Sequence, residues 1–225
     1  MFAKIPVISV IFPSRGRAPQ LVNVINEWRS KAIGKIPTEY VVVLDQDDSA
    51  FSDYIFSLSS LGIDQIILCP PPTTVNTSMN KGAHASYGKV IICSSDDFGA
   101  CEEWDEKVWA YYKDAPPKTI LMTDDGIQPV GHLCTLPTCD REFFNDWGYI
   151  YWEGYPHLYS DTDFTERAKR FGNVIVDGSL LFEHRHYSAG KAAFDNTYDR
   201  CLYRNLSLDS KELFEKRKAE NFGRP

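Results

Sequence analysis

Short apolar segments and longer amphipathic segments alternate through the first half of the chain, and this alternation constrains the fold more than any other feature of the sequence. Apolar and β-branched residues predict strands at Ile5–Phe12, Tyr40–Leu44, Ile63–Cys69, Val90–Cys93 and Thr119–Met122. Helical spacing predicts intervening helices at Pro19–Lys31, Phe51–Leu61, Ser78–Ser86 and Glu103–Lys113. Because strands that alternate with helices pair in parallel, we predict an α/β fold with a mixed, mostly parallel sheet flanked by helices.

The second half of the chain is less regular. Helices are predicted near Arg141–Trp147 and Thr162–Phe171, a last strand at Val174–Val176, and a charged, helical tail from Asp209. No internal repeat, low-complexity tract or linker divides the sequence. We therefore expect residues 1–225 to form a single domain.

The charge balance disfavours some classes of partner. With 31 acidic against 24 basic residues, the net charge is −7, which argues against broad electrostatic binding to nucleic acid or anionic membrane. No apolar run approaches the roughly 20 residues that span a bilayer. The N-terminal apolar run contains Pro6 and Pro13 and does not look like a signal peptide. We expect no membrane insertion.

The six cysteines are scattered and include no C-x-x-C pair, so a reducing cytoplasm is the expected location. Cys134 and Cys139 have His132 and Asp140 nearby, but their spacing fits no common zinc site. The cysteines therefore predict neither a disulfide framework nor a metal centre.

Polar residues cluster where four predicted strands end. The clusters are Pro13–Arg17, Asp45–Asp48, Ser95–Asp97 and His184–His186. Because the carboxyl ends of parallel strands meet at the ligand-binding edge of an α/β sheet, these clusters predict one shared ligand site.

Two adjacent aspartates, Asp96 and Asp97, closely follow the strand predicted at Val90–Cys93. Aspartate is a common turn and capping residue, but the next predicted helix begins at Glu103, too far away for a direct cap. Carboxylate oxygens are the ligands that Mg²⁺ and Mn²⁺ prefer. The pair therefore predicts a divalent-metal site.

Five short motifs, taken in their order and spacing over about residues 5–190, resemble those of the glycosyltransferases of the GT-A fold, in particular inverting family 2. The motifs are Ile8–Arg17, Val43–Ser49, Asn80–Gly82 with Gly88–Ile91, Ser95–Asp97, and Asp161–Phe164 with Arg167 and Gly172. The resemblance implies a GT-A, Rossmann-like domain. It also implies a nucleotide-binding half, about residues 1–100, and an acceptor-binding half, about residues 101–225.

The resemblance implies the transfer of a sugar, with inversion, from a nucleotide sugar, expected to be UDP-linked, with Mn²⁺ or Mg²⁺ as cofactor. It assigns Asp161 as the catalytic base and Asp97, His184 and His186 as metal ligands. It assigns donor binding to Pro13, Ser14, Arg15, Arg17, Asp45, Asp47, Asn80, Lys81, Ser95 and Asp96. Two positions depart from the family pattern: Ser95 replaces the first aspartate of the metal motif, and Ser160 replaces the usual glutamate before the base.

Some assignments stay open. His184 and His186 alternate on a strand-like segment, so we expect opposite orientations and only one of them facing the metal. Asp161 and Asp163 lie two residues apart near a helix start and should also point in different directions. Asp161 fits the position of the base and Asp163 that of a residue that caps or orients the helix, although both could be capping acids.

Aromatic residues are dense between Trp147 and Tyr159, where they form either core or a platform for a sugar acceptor. Arg185 and Lys191, like Arg15, could add positive charge for a diphosphate. The acceptor stays open among glycan, protein, small molecule and modified nucleic-acid base.

Two other functions compete with glycosyl transfer. A sugar nucleotidyltransferase would need a Gly-rich phosphate loop after the first strand, where this chain has only Gly16. A non-catalytic nucleotide-sugar-binding module would have no need for Asp97, Asp161 and the late histidines.

Overall fold

The computed structural model describes residues 5–205 and 209–224, and its described strands form one seven-stranded sheet in the order β3-β2-β1-β4-β6-β5-β7. The strands are β1 (Ile8–Ser14), β2 (Thr38–Asp45), β3 (Gln65–Cys69), β4 (Val90–Cys93), β5 (Thr119–Asp124), β6 (Thr138–Asp140) and β7 (Asn173–Leu181). The strand pairs are parallel except that β6 runs antiparallel to both β4 and β5. The predicted mixed, mostly parallel α/β sheet is confirmed.

Helices cover both faces of the sheet. They are α1 (Ala18–Lys31), α2 (Phe51–Ser59), α3 (Val75–Ala85), α4 (Trp104–Tyr112), α5 (Arg141–Trp147), α6 (Ser160–Phe171), α7 (Asn196–Asn205) and α8 (Ser210–Ala219). Short 3₁₀ helices occur at Tyr187–Ala189 and Asn221–Gly223. None of the helices in the described ranges is both long enough and apolar enough to cross a membrane.

The central strands are buried on both faces, which explains why they are continuously apolar instead of alternating. Every residue of β1 is buried. On one face the core packs around Trp28 of α1 and Trp104 of α4, and on the other around Met79, Phe143 and Phe164 of α3, α5 and α6. This packing fixes the directions of β1, β2 and β4, whose carboxyl ends point to the same edge of the sheet.

Two elements were not predicted from the sequence. The strand β6 has only three residues and is defined by its backbone pairing with β4 and β5. The helix α7 has a strongly polar sequence, so its apolar face is short. The strand β7 is also longer than the predicted Val174–Val176.

Candidate active site

A cavity of about 290 Å³ opens at the carboxyl ends of β1, β2 and β4. Eleven residues that the sequence analysis assigned to the site line it: Pro13, Ser14, Arg15, Arg17, Asp45, Ser95, Asp96, Asp97, Asp161, His184 and His186. The four polar clusters predicted from strand ends therefore contribute to one cavity.

Asp96 and Asp97 follow β4 and differ in their surroundings. Asp96 is almost fully buried and accepts hydrogen bonds from Ser14 Oγ and from Arg17 Nη1, the latter at 3.0 Å. Its burial and the neighbouring Asp97 raise its pKa to about 6 despite these bonds. Burial also acts to raise the pKa of Asp97, but the His184 side chain, the Ser95 hydroxyl and Arg17 outweigh it and lower the pKa to about 2. Asp97 is therefore the more acidic of the two carboxyl groups.

His184 faces Asp97, with 3.6 Å between its Nε2 and the Asp97 Oδ2. Its ring stacks on Phe98 at 4.1 Å between centroids, and its backbone N–H donates to the Asp125 carbonyl. The ring of His186 lies 5.1 Å from that of His184, and both line the cavity. The expectation of opposite orientations is wrong, because β7 ends at Leu181 and the segment that follows is not a continuous strand.

The pair Asp97–His184 suits a divalent cation, because carboxylate oxygen and imidazole nitrogen are both donors for Mn²⁺. Across residues 5–205 and 209–224, no group of three or more His, Cys, Asp and Glu residues is arranged to hold a metal ion alone. A cation held by this pair would need further ligands from a bound molecule or from water.

Arg15 and Asp45 also line the cavity, where they pair with each other. Arg15 Nη1 donates to Asp45 Oδ2 at 2.8 Å and to Asp47, which is itself exposed and does not line the cavity. Gly16 has a φ of +69° and donates its N–H to Asp48 Oδ2 at 2.7 Å. Glycine adopts this left-handed conformation more readily than other residues. The hydrogen bond to Asp48 holds the loop after β1 against the loop after β2.

Arg17 is buried beneath α7, and each of its three guanidinium nitrogens donates to a carboxylate. Nη1 donates to Asp96, and Nε and Nη2 donate to Asp195 at 2.7 and 2.9 Å. The Tyr198 ring lies over the guanidinium at 4.1 Å. Burial acts to lower the pKa of Arg17, but the Asp195 and Asp96 carboxylates raise it further above its ordinary value.

The helix α7 supplies cavity-lining residues that the sequence analysis missed: Thr197, Tyr198, Arg200 and Cys201. Tyr198 Oη donates to Asp97 Oδ2 at 3.2 Å, and Thr197 Oγ1 donates to the Arg15 carbonyl at 2.9 Å. One sequence signal for the helix is Asp195 just before it, since aspartate is a good N-cap residue.

Asp161 and Asp163 point in different directions, as predicted. Asp161 lines the cavity, and burial raises its pKa despite a bond from the Thr162 N–H. Asp163 is fully buried and accepts from Arg167 Nε at 2.6 Å, Arg217 Nε at 2.9 Å and Tyr155 Oη at 3.1 Å. Both aspartates lie in the first turn of α6, as expected for acids at a helix start, but the N-cap position itself is Tyr159.

Asn80 and Lys81 do not line the cavity, and their assignment to donor binding stays a prediction. Asn80 is buried, and its Oδ1 accepts from the backbone N–H groups of Ile150 and Tyr151 at 2.9 and 3.1 Å. Lys81 is exposed on α3. This part of the motif has a structural role, because Asn80 holds the turn that brings Tyr151 to the cavity.

Arg185 also lies outside the cavity, since its guanidinium pairs with Glu27 at 2.7 and 2.9 Å. Lys191 likewise does not line the cavity and pairs with Glu183 at 3.2 Å. The sequence allows both to add positive charge for a diphosphate. Their partners on α1 and after β7 explain why they do not face it.

Most aromatic residues between Trp147 and Tyr159 belong to the core. The Arg167 guanidinium lies over the rings of Trp147 and Tyr149 at 4.7 and 4.6 Å, and that of Arg217 over Trp152 at 3.9 Å. From this segment Tyr151, His157 and Leu158 line the cavity. Of the residues in this segment, only these three side chains could therefore contact a sugar acceptor in the cavity.

No protein-family model and no curated protein matches this chain. Solved structures do. Residues 1–349 of TarS from S. aureus match with a TM-score of 0.62 at 14% identity, covering 91% of this chain and 73% of that one. The mannosyltransferase PcManGT from Pyrobaculum calidifontis, solved with GDP-Man and Mn²⁺, matches with a TM-score of 0.60 at 11% identity, covering 95% and 73%.

This chain has the GT-A fold. A 4-diphosphocytidyl-2C-methyl-D-erythritol synthase from Anaerococcus prevotii also matches, with a TM-score of 0.55 at 16% identity, covering 92% of this chain and 97% of that one. In this GT-A fold, the loops after β1, β2 and β4 and the start of α6 all face one cavity.

Proposed function

We propose that this chain is a metal-dependent glycosyltransferase that moves a sugar from a nucleotide sugar, preferably a UDP-sugar, to an acceptor with inversion. The observation that carries the proposal is that the Asp97–His184 pair and the half-buried carboxylate of Asp161 face the same cavity. Inverting transfer needs both a stabilised leaving diphosphate and a base for the acceptor proton.

The donor is assigned to the loops after β1, β2 and β4. Asp45 and Arg15, which both line the cavity, offer a carboxylate acceptor and a guanidinium donor for the base and ribose. Two similar structures were solved with nucleotide sugars, TarS with UDP-GlcNAc and PcManGT with GDP-Man. These complexes support a nucleotide-sugar donor here, and the family resemblance supports UDP.

Charge balance supports a divalent cation at the Asp97–His184 pair. Four carboxylates and three guanidinium groups line the cavity, namely Asp45, Asp96, Asp97 and Asp161 with Arg15, Arg17 and Arg200. A diphosphate would add further negative charge to a cavity that already has a slight excess of it. A cation held by Asp97 and His184 would supply Lewis-acid stabilisation of the leaving diphosphate.

Asp161 is assigned as the base. Its carboxylate reaches the cavity from the start of α6, and burial raises its pKa, which makes it a stronger proton acceptor once ionised. Asp163 is excluded from this role because all of its bonds go to Arg167, Arg217 and Tyr155 within the core. The acceptor itself stays open among the classes that the sequence allows.

A sugar nucleotidyltransferase is the second candidate, favoured by the similarity to the diphosphocytidyl-methylerythritol synthase. Such an enzyme needs free backbone N–H groups after the first strand to cradle phosphates. Here the Gly16 N–H donates to Asp48 and the Arg17 N–H donates to Tyr54 Oη at 2.8 Å. These bonds make the loop a poor phosphate cradle.

Product analysis separates the candidates. Purified protein with Mn²⁺ is incubated with a panel of nucleotide sugars, and separately with nucleoside triphosphates plus sugar 1-phosphates. Glycosyl transfer or slow hydrolysis releases a nucleoside diphosphate, whereas nucleotidyl transfer releases pyrophosphate. D161N should keep donor binding and lose about 10²- to 10⁴-fold in transfer rate. Pyrophosphate release in the second assay, with no nucleoside diphosphate in the first, would refute the proposal.

A further inference from the structure

The carboxylate of Asp195 is held by four donors at the edge of the cavity. Its Oδ2 accepts from Arg17 Nε at 2.7 Å, and its Oδ1 accepts from Arg17 Nη2 at 2.9 Å. The same Oδ1 accepts from the backbone N–H groups of Thr197 and Tyr198, both at 3.1 Å. A guanidinium fork together with N–H groups at a helix start is the kind of surrounding that also binds a phosphate group.

The contacts that hold α7 over the cavity go to residues of the proposed donor site. Besides the Arg17–Asp195 pair, Thr197 donates to the Arg15 carbonyl and Tyr198 donates to Asp97. Arg200 Nη1 lies 3.7 Å from Asp45 Oδ2. The five residues before Asp195, numbers 190–194, are all exposed. A ligand that bonds to these same side chains therefore competes with the contacts that hold α7.

We propose that Asp195 occupies the place of a donor phosphate on Arg17, and that the diphosphate displaces it when the donor binds. This inference rests on the proposed function. The three guanidinium nitrogens of Arg17 already donate to Asp96 and Asp195, and one guanidinium fork pairs with one anion at a time. A diphosphate can use the fork only after Asp195 has left it. The N-terminal end of α7 then moves away from Arg17.

Such competition weakens donor binding, because the apparent dissociation constant rises as the binding-competent fraction of the protein falls. Removing the charge of Asp195 should therefore tighten the binding of a diphosphate. A purely structural ion pair predicts the opposite, since loosening α7 would disturb Asp97 and Arg15.

The test uses the full chain and inorganic pyrophosphate in Mg²⁺ buffer, measured by titration calorimetry. D195N removes the charge but keeps an N-cap side chain for α7, since Asn caps about as well as Asp. We expect pyrophosphate to bind about three- to thirtyfold more tightly to D195N than to wild type. The matched control is D146N, because Asp146 pairs with Lys118 and Arg224 away from the cavity. Its affinity should equal that of wild type.

Hydrogen exchange of the wild-type protein gives a second measurement that does not depend on a variant folding. Backbone exchange over residues 196–205 should become faster when pyrophosphate is added. Unchanged or weaker binding to D195N, or slower or unchanged exchange over α7, would overturn the inference while leaving the donor site in place. If neither pyrophosphate nor UDP binds to wild type or D195N, the proposed function itself fails, and the inference fails with it.

Discussion

The substitutions D161N and D163N make the same chemical change two residues apart, yet we expect opposite consequences. Asp163 is fully buried and bonds to two guanidinium groups, one of which, that of Arg167, is also fully buried. D163N leaves Arg167 without a counter-charge in the core. Removing one partner of a buried ion pair costs about 3–5 kcal/mol, and Asn keeps one acceptor oxygen. We therefore expect a loss near the lower end, about 3 kcal/mol of unfolding free energy.

Urea denaturation followed by circular dichroism measures this loss. For a chain of this length, about 3 kcal/mol should lower Tm by roughly 6–12 °C. D161N is the matched control, because Asp161 has no ion-pair partner among the described contacts and burial raises its pKa. Its stability should equal or slightly exceed that of wild type. Loss of an exposed ion pair costs at most about 1 kcal/mol. If the unfolding free energy of D163N lies within that range of wild type, Asp163 does not balance a buried charge in the core.

Four further predictions concern the site. D97A should abolish Mn²⁺-dependent UDP binding while leaving the circular dichroism spectrum unchanged; equal UDP affinities for D97A and wild type, titrated with Mn²⁺, would contradict the metal assignment. D45A should weaken UDP binding by about 1.5–3 kcal/mol, the value of a charge-assisted hydrogen bond, but leave pyrophosphate binding unchanged; equal losses for both ligands would place Asp45 elsewhere than at the base. Because burial raises the pKa of Asp161, the acidic limb of the transfer rate should lie above the ordinary Asp value of about 3.9; a limb at or below that value would argue against this base. The raised pKa also means that the folded protein favours the protonated form of Asp161. The unfolding free energy of wild type should therefore rise relative to that of D161N as the pH falls through the raised pKa of Asp161.

The strands and the location of the site could be predicted because both follow from local pattern. Buried parallel strands such as β1 and β2 are continuously apolar, and polar residues after them meet at one edge of the sheet. Each of these signals lies within a few consecutive residues.

Elements that depend on distant partners could not be predicted in this way. The strand β6 is a strand only because β4 and β5 supply its backbone partners, and α7 is held by polar contacts to Arg15, Arg17 and Asp97. The structural role of Asn80 could not be predicted for the same reason. An amide that holds a turn 70 residues away and one that binds a ligand look alike in the sequence.

The placement of β6 has a mechanical consequence. Among the described strand pairs, β6 alone connects the part of the sheet that contains β1 to β4 with the part that contains β5 and β7. It does so through three register pairs with β4 and two with β5. A second connection between these two parts lies at the cavity. There Phe98 forms an isolated β-bridge with His184, and the Arg185 N–H donates to the Asp97 carbonyl. Asp97 and His184 therefore lie on opposite sides of this narrow connection between the two parts of the sheet. A cation coordinated by both residues would link the two parts at the cavity. Binding of the donor with its cation would then also make the sheet more rigid.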